Sequence, residues 1–157
     1  MVIGGGFIGL EVAENLKAQG ISVCVVEFAP QLLQNQLDFE MADYVKRRLM
    51  KLGIRVFTGT KAERLIGEQR VASVKTTAGV LPADLVVLSV GIRPNTDFLQ
   101  SSGIKMIKGA IATGPHMETN LPDVYAAGDC ALVTNRITGK AQWSPMGSSA
   151  NLEGRTL

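Results

Sequence analysis

The sequence is poor in the residues that build metal centres, disulfide frameworks and hydrolytic triads. Its 157 residues include one histidine, His116, and two cysteines, Cys24 and Cys130. A single histidine excludes most metal clusters and any serine–histidine triad, and we expect His116 on a surface loop. The cysteines form no C-x-x-C pair and Cys130 lacks a nearby base, so we expect both to be structural and the protein to be cytoplasmic.

Charge of one sign and long apolar runs are missing as well. The net charge of +2 gives no electrostatic argument for binding nucleic acid or an anionic membrane. No apolar run approaches the length that crosses a bilayer, and the N-terminus meets Glu11 too early for a signal peptide. The apolar fraction of 46% is high for a chain of one domain's length, and it indicates hydrophobic surface that meets a partner.

The start of the chain carries the glycine fingerprint G-x-G-x-x-G. Gly4 permits a tight turn after an apolar strand, Gly6 lets the backbone approach a phosphate, and Gly9 lets a helix pack closely on the strand. Unpaired N–H groups at the helix start, with the positive end of the helix dipole, would face a dinucleotide pyrophosphate. The next segment has an apolar stripe of helical period, and Gly20 ends it.

An acidic residue stands where a dinucleotide site needs one. The nearly all-apolar run 21–26 predicts a parallel strand buried on both faces, and Glu27 follows it, 18 residues after Gly9. A carboxylate there can accept hydrogen bonds from the adenosine ribose hydroxyls. No Lys or Arg that would attract a ribose 2′-phosphate occurs between Glu27 and Lys46, which favours NAD over NADP. The alternative interpretation is a glutamate in solvent at a strand end.

Changes of hydrophobic period organise the residues that follow. Asp38 is a good N-cap for a helix that Gly53 ends, and a strand comes next. From residue 61 to 82 the pattern predicts a small antiparallel meander where a helical crossover would otherwise stand. A buried strand is expected at residues 84–90. The fold class is therefore α/β: a Rossmann-like, three-layer domain with a parallel sheet and an antiparallel β-meander crossover.

The tail after residue 95 differs in character. It contains a short helix candidate near Phe98, a glycine-rich passage, and a helix expected around residues 151–153. Both chain ends fall inside predicted secondary-structure elements, so we expect a piece of a longer chain.

Three motifs, in this order, resemble those of the pyridine nucleotide–disulfide oxidoreductases, flavoproteins with two dinucleotide sites. They are GGGFIGLE at residues 4–11, VGIRPN at 90–95 and DVYAAGDC at 123–130. The nearest branch resembles the coenzyme A-disulfide reductases and NADH oxidases. In such enzymes an NAD domain is inserted into an FAD domain, and hydride passes from nicotinamide to flavin. The resemblance implies that residues 1–93 form the NAD(H)-binding domain and residues 94–157 an incomplete, returning segment of the FAD domain.

The resemblance also assigns cofactor contacts. It places Gly91 against bound NAD. Asp129, beside Gly128, matches the aspartate that hydrogen-bonds the ribitol–phosphate part of FAD. Gly147 matches a helix start near the flavin ring, where the helix dipole would favour electrons in the flavin.

The resemblance counts Phe7, Ile8 and Glu11 among the NAD contacts. Phe7 and Glu11 are four residues apart and share a helical face. In relatives the aromatic covers the flavin until nicotinamide displaces it, and the glutamate contacts the nicotinamide end. An aromatic lid excludes water, and a carboxylate can accept from a carboxamide N–H. The alternatives are a core phenylalanine and a solvated helix glutamate.

Other parts of the family pattern are missing from this sequence. The family has a first glycine fingerprint for FAD, a catalytic cysteine and a C-terminal dimerisation domain. We therefore expect the NAD(H)-binding part of an NADH-dependent flavoprotein that passes hydride to FAD and on to a disulfide or oxygen. We expect this chain to be inactive alone, to need the rest of the flavoprotein as its partner, and to associate as a homo-oligomer. Two alternatives are a stand-alone NAD(H)-sensing module and a fingerprint that itself binds FAD.

Overall fold

Four short parallel strands, two helices and a meander make up the N-terminal part of the structure. A computed structural model describes residues 1–157 as two compact units, Met1–Gly91 and Ile92–Leu157. The elements of the first unit are β1 (Val2–Ile3), α1 (Phe7–Ala18), β2 (Cys24–Val26), α2 (Phe39–Lys51), β3 (Arg55–Phe57), β4 (Ala62–Ile66), β5 (Ser73–Thr76), β6 (Gly79–Pro82) and β7 (Val87–Leu88).

The parallel sheet has the strand order β3-β2-β1-β7. Parallel neighbours need a crossover, and α1 and α2 supply the first two. The third connection, from β3 to β7, is the antiparallel sheet β4-β5-β6. This arrangement confirms the predicted α/β class with a meander as crossover.

Alternating residues of the central strands face two separate cores. Val2 and Val25 pack in one cluster with residues of both helices. Ile3 and Val26 pack in a second cluster with Val74 of the meander. Because side chains of a strand alternate between faces, the sheet is covered on both sides, and helices, sheet and meander form three layers.

The predicted helix signals are present at both helices. The Asp38 carboxylate accepts a hydrogen bond from the Met41 N–H at 2.9 Å and caps the start of α2. Gly20 and Gly53 follow the two helices with φ of 80° and 79°, the left-handed conformation that favours glycine. These local signals therefore fix where both helices end.

Two expectations about strands are wrong in part. Strand β2 begins only at Cys24, and Ile21 is exposed because its N–H continues the end of α1 by bonding to Leu16. In the predicted buried strand 84–90, only Val87–Leu88 is strand, and Leu88 is 66% exposed. Strand β7 lies at the sheet edge with β1 as its one neighbour. The apolar run therefore predicted a buried position that Leu88 does not have.

The second unit is built from two hairpins and a helix. Its core contains Ile111, Met117, Ala126 and Ala131. The expected helix near Phe98 is a single 3-10 turn, and the expected C-terminal helix is present. The elements are the 3-10 turn (Asp97–Leu99), β8 (Met106–Ile107), β9 (Ala110–Ile111), β10 (Leu132–Thr134), β11 (Ala141–Trp143) and α3 (Gly147–Thr156).

The units divide after Gly91, two residues before the boundary expected from the sequence. Their assignment as an NAD domain and a part of an FAD domain stays a prediction. None of the helices is both long and apolar enough to cross a membrane.

Removing the α2 cap should destabilise the first unit. We expect Asp38→Ala to lower the free energy of unfolding by about 1 kcal/mol, because the Met41 N–H loses its acceptor. Asp38→Asn is the matched control and should stay close to wild type, since asparagine also caps well. Urea unfolding followed by circular dichroism measures both, and an equal loss in the two variants would contradict the capping role.

Candidate nucleotide-binding site

The glycine turn lies at the point where the sheet order changes direction. The chain places β2 and β3 on one side of β1 and then returns, after the meander, to place β7 on the other side. Such a switch point opens a crevice at the carboxyl ends of the strands. Gly4 begins the turn with φ of 112°, and its N–H donates to Val26 at 2.8 Å.

The first turn of α1 leaves backbone donors without helical acceptors. Gly6 is the N-cap residue, no side chain caps the helix, and the first helical bond runs from the Leu10 N–H to Gly6. The N–H groups of Phe7, Ile8 and Gly9 therefore have no acceptor within the helix. A Cβ added at Gly6 would meet no atom within 4 Å, so there is space in front of this turn. Unpaired donors and open space fit a pyrophosphate.

Two glycines are required by close backbone approach. A Cβ at Gly9 would collide with the carbonyl oxygen of Gly4, and a Cβ at Gly4 would collide with that of Ser89. Gly9 is buried in α1, and Gly4 directly follows β1. The absence of a side chain at Gly9 lets α1 start directly against the turn after β1, as the role of Gly9 in the fingerprint predicts, and the absence of one at Gly4 leaves room for the Ser89 carbonyl.

The carboxylate of Glu27 is held by the backbone on both sides. One oxygen accepts from the Gly5 N–H at 2.5 Å and the other from the Ala29 N–H at 2.6 Å. Glu27 is half-buried, so it is not simply a strand-end glutamate in solvent. Each carboxylate oxygen can accept a second bond, so contact with a ribose hydroxyl is compatible with this arrangement.

The structure also shows where the other expected NAD contacts lie. Phe7 is 62% exposed, which makes it no part of the core, and Glu11 is exposed one helical turn further along α1. Ile8 is exposed as well. Gly91 has φ of 93° and lies just beyond β7, whose end bonds to β1 through the Ser89 N–H. Gly91 is therefore at the same edge of the sheet as the glycine turn.

The residues expected to contact FAD all lie in the second unit. Gly128 has φ of 84° and begins a turn closed by the Ala131 N–H at 2.9 Å. Asp129 is exposed, and no protein group donates to its carboxylate. Gly147 is the first residue of α3, and no side chain caps the N-terminus of that helix. A Cβ added at Gly147 would meet no atom within 4 Å, so the space in front of the helix is open.

Sequence reasoning missed Gly5 and Glu153. Gly5 was only a variable position of the fingerprint, but its N–H bonds Glu27, its carbonyl accepts from Leu33 at 3.0 Å, and a Cβ would press on Leu32. Gly5 is the middle one of three consecutive glycines, and that run was a signal for this role. Glu153 of α3 accepts from the Gly128 N–H at 2.6 Å, and nothing in the local sequence indicated that contact.

The geometry of the two glycines predicts that alanine lowers the free energy of unfolding at one position and leaves it nearly unchanged at the other. Gly9→Ala should lower the free energy of unfolding by roughly 2 kcal/mol, because the clash with the Gly4 carbonyl exceeds the ~1 kcal/mol that alanine gains in a helix. Gly6→Ala should stay within about 0.5 kcal/mol of wild type, because its Cβ enters open space. Denaturant unfolding of the two variants tests this, and a stable Gly9→Ala protein would contradict the packing.

Comparison with known proteins agrees with this architecture. Residues 1–148 match the model of the family described as pyridine nucleotide-disulphide oxidoreductase. Among curated proteins, the chain is 40% identical to an NADH oxidase of Methanocaldococcus jannaschii over 154 residues. It is 37% identical to an NAD(P)H coenzyme A polysulfide/persulfide reductase of Pyrococcus horikoshii over 156 residues. These matches cover 98% of the chain but only 34% and 35% of the relatives.

Solved structures give the same result. An FAD-dependent pyridine nucleotide-disulphide oxidoreductase from Desulfovibrio vulgaris superposes with a TM-score of 0.91 at 40% identity, covering 99% of this chain and 40% of that one. An NAD-dependent persulfide reductase from A. fulgidus gives 0.92 at 38% identity, covering 99% and 29%. The chain thus spans about a third of the length of the two curated relatives named above. It belongs to the pyridine nucleotide-disulphide oxidoreductase family.

Proposed function

We propose that the first unit binds NADH and that the protein of which it forms part passes the hydride to FAD and then to a disulfide or oxygen. The observation that carries the proposal is the glycine turn. Uncapped N–H groups of α1, open space at Gly6 and the carboxylate of Glu27 lie together at the carboxyl edge of β1 and β2. That set of groups matches the phosphates and ribose of a dinucleotide.

In this proposal the chain supplies binding and orientation. The N–H groups of Phe7, Ile8 and Gly9 hold the pyrophosphate, and Glu27 holds the adenosine ribose. Phe7 and Glu11, one turn apart on α1, contact the nicotinamide end. An exposed aromatic there can exclude water from the reacting carbon, and a carboxylate can accept from the carboxamide. NADH, when bound, supplies a hydride and FAD, when bound, takes it up.

The second unit would hold part of the flavin. Asp129 has a carboxylate without a protein donor, which can accept from a ribitol hydroxyl. The uncapped N-terminus of α3 begins at Gly147, and its partial positive charge would stabilise negative charge on a reduced flavin. Both features fit FAD, the cofactor named for the related D. vulgaris protein.

We also infer a cytoplasmic protein that associates as a homo-oligomer. Association is supported by apolar surface on the second unit, where Val124, Tyr125 and Leu152 are exposed. Exposed apolar patches of this kind promote association. The other expected partner is the rest of the flavoprotein, namely the parts of the family pattern that this sequence does not include.

A glycine substitution tests the phosphate site directly. Gly6→Ala should fold normally but bind NADH at least ~10-fold more weakly, because its methyl group enters the space assigned to the pyrophosphate. Isothermal titration calorimetry measures the affinity. The control is Ala78→Gly, in the meander turn between β5 and β6. Its neighbour Gly79 has φ of 110°, so an alanine at Gly79 would strain the backbone. Unchanged NADH binding by Gly6→Ala would contradict the site.

Coenzyme choice tests the role of Glu27. We expect NADH to bind at least ~10-fold more tightly than NADPH, because a charged hydrogen bond of roughly 1.5–3 kcal/mol to the ribose is replaced by repulsion of a phosphate. The first basic residue after Glu27, Lys46, donates to Thr58 at 3.0 Å. Glu27→Gln should reduce the preference for NADH over NADPH, mainly because it weakens the binding of NADH.

The control for coenzyme choice is Glu14→Gln, which removes the charge of an exposed glutamate on α1. It should leave both affinities unchanged. Several relatives are named for NAD(P)H, so the comparison with NADPH is decisive. Equal or tighter binding of NADPH by the wild-type chain would overturn the assignment.

A further inference from the structure

Glu153 is a buried carboxylate that the proposed chemistry does not use. It is 8% exposed, on a helix whose other residues are mostly exposed. Burying a carboxylate is costly unless it is hydrogen-bonded, so its position requires a partner that matters. The one hydrogen bond to its side chain comes from the Gly128 N–H at 2.6 Å.

The packing of α3 explains how this bond forms. A Cβ added at Gly128 would lie 3.8 Å from the Cβ of Ala150, so α3 lies directly beside the turn at that residue. Ala150 and Glu153 are three residues apart and share a helical face. The glutamate therefore reaches the turn from the same face on which the helix packs.

The turn is held from a second side as well. The Trp143 Nε1–H donates to the carbonyl oxygen of Asp129 at 2.8 Å. Glu153 thus fixes the N–H that precedes Asp129, and Trp143 fixes the carbonyl of Asp129 itself. With its backbone held at both ends, Asp129 presents a carboxylate that has no protein donor.

We propose that Glu153 is a positioning residue for flavin binding: it ties the Gly128–Asp129 turn to α3 and so aligns the Asp129 carboxylate with the uncapped N-terminus of that helix. The flavin part of this inference rests on the proposed function. The tether itself concerns only residues of the second unit. Both the acceptor oxygen and its charge contribute, since charged hydrogen bonds are the stronger ones.

The test compares Glu153→Ala and Glu153→Gln in the whole chain by NMR. Glu153→Ala should move the Gly128 amide proton resonance upfield and speed its hydrogen exchange at least ~10-fold, because the N–H loses its acceptor. Glu153→Gln keeps an acceptor oxygen and should restore most of both signals. Glu118→Ala is the matched control: Glu118 also accepts a backbone N–H in this unit, from His116 at 2.8 Å, but does not contact the turn.

Titration of FAD into the same samples separates the two levels of the inference. We expect Glu153→Ala to weaken FAD binding at least ~10-fold, with Glu153→Gln intermediate and Glu118→Ala unchanged. Unaltered Gly128 signals in a folded Glu153→Ala protein would overturn the tether. Altered Gly128 signals with unchanged FAD affinity would overturn the positioning role. Wild-type protein that binds no FAD would count against the proposed flavin site and equally against positioning for it, while the Gly128 signals would still decide the tether.

Discussion

Gly9 lies so close to the carbonyl oxygen of Gly4 that a side chain on Gly9 would collide with it, and a side chain on Gly4 would collide with the carbonyl oxygen of Ser89. This approach sets the distance between α1 and β1, and with it the direction of the first N–H groups of the helix. Glu27 then joins the end of β2 to the same turn through Gly5. If the helix stood further away, the turn would lose its shape and the carboxylate would lose its backbone partners, so the geometry of the whole crevice depends on this contact.

A site of this kind depends more on the backbone than on reactive side chains. In the proposed site the phosphate donors are N–H groups, and the requirement on the sequence is the absence of a Cβ at Gly4, Gly6 and Gly9. A chain with one histidine and two cysteines can meet that requirement. The one cysteine of the first unit, Cys24, is buried in β2 and contributes to packing alone. The chemistry assigned to the family requires bound cofactors, and the protein orients them.

The parts that could be predicted from sequence have local causes. The fingerprint, the Asp38 cap and the glycines that end α1 and α2 each act within a few residues, so their spacing identified them. The bond from Gly5 to Glu27 joins residues 22 apart and that from Gly128 to Glu153 residues 25 apart. The run of three glycines was the one local sign of the first bond, and no local pattern records the second. The exposure of Leu88 in β7 was missed for a related reason: an apolar run does not say whether another layer covers both faces of the strand.

The exposure of Phe7 is better explained by binding than by stability. A phenylalanine left 62% exposed adds little to stability, and Ile8 beside it is exposed too. Elsewhere in α1 the apolar residues Leu10 and Ala13 are buried, so the helix does have a core-facing stripe, and Phe7 lies off it. Apolar groups at the opening of a helix N-terminus lower the local dielectric around whatever the N–H groups bind, which strengthens those hydrogen bonds. In the proposed function a planar cofactor ring covers these apolar side chains when it is bound, which offsets the cost of their exposure.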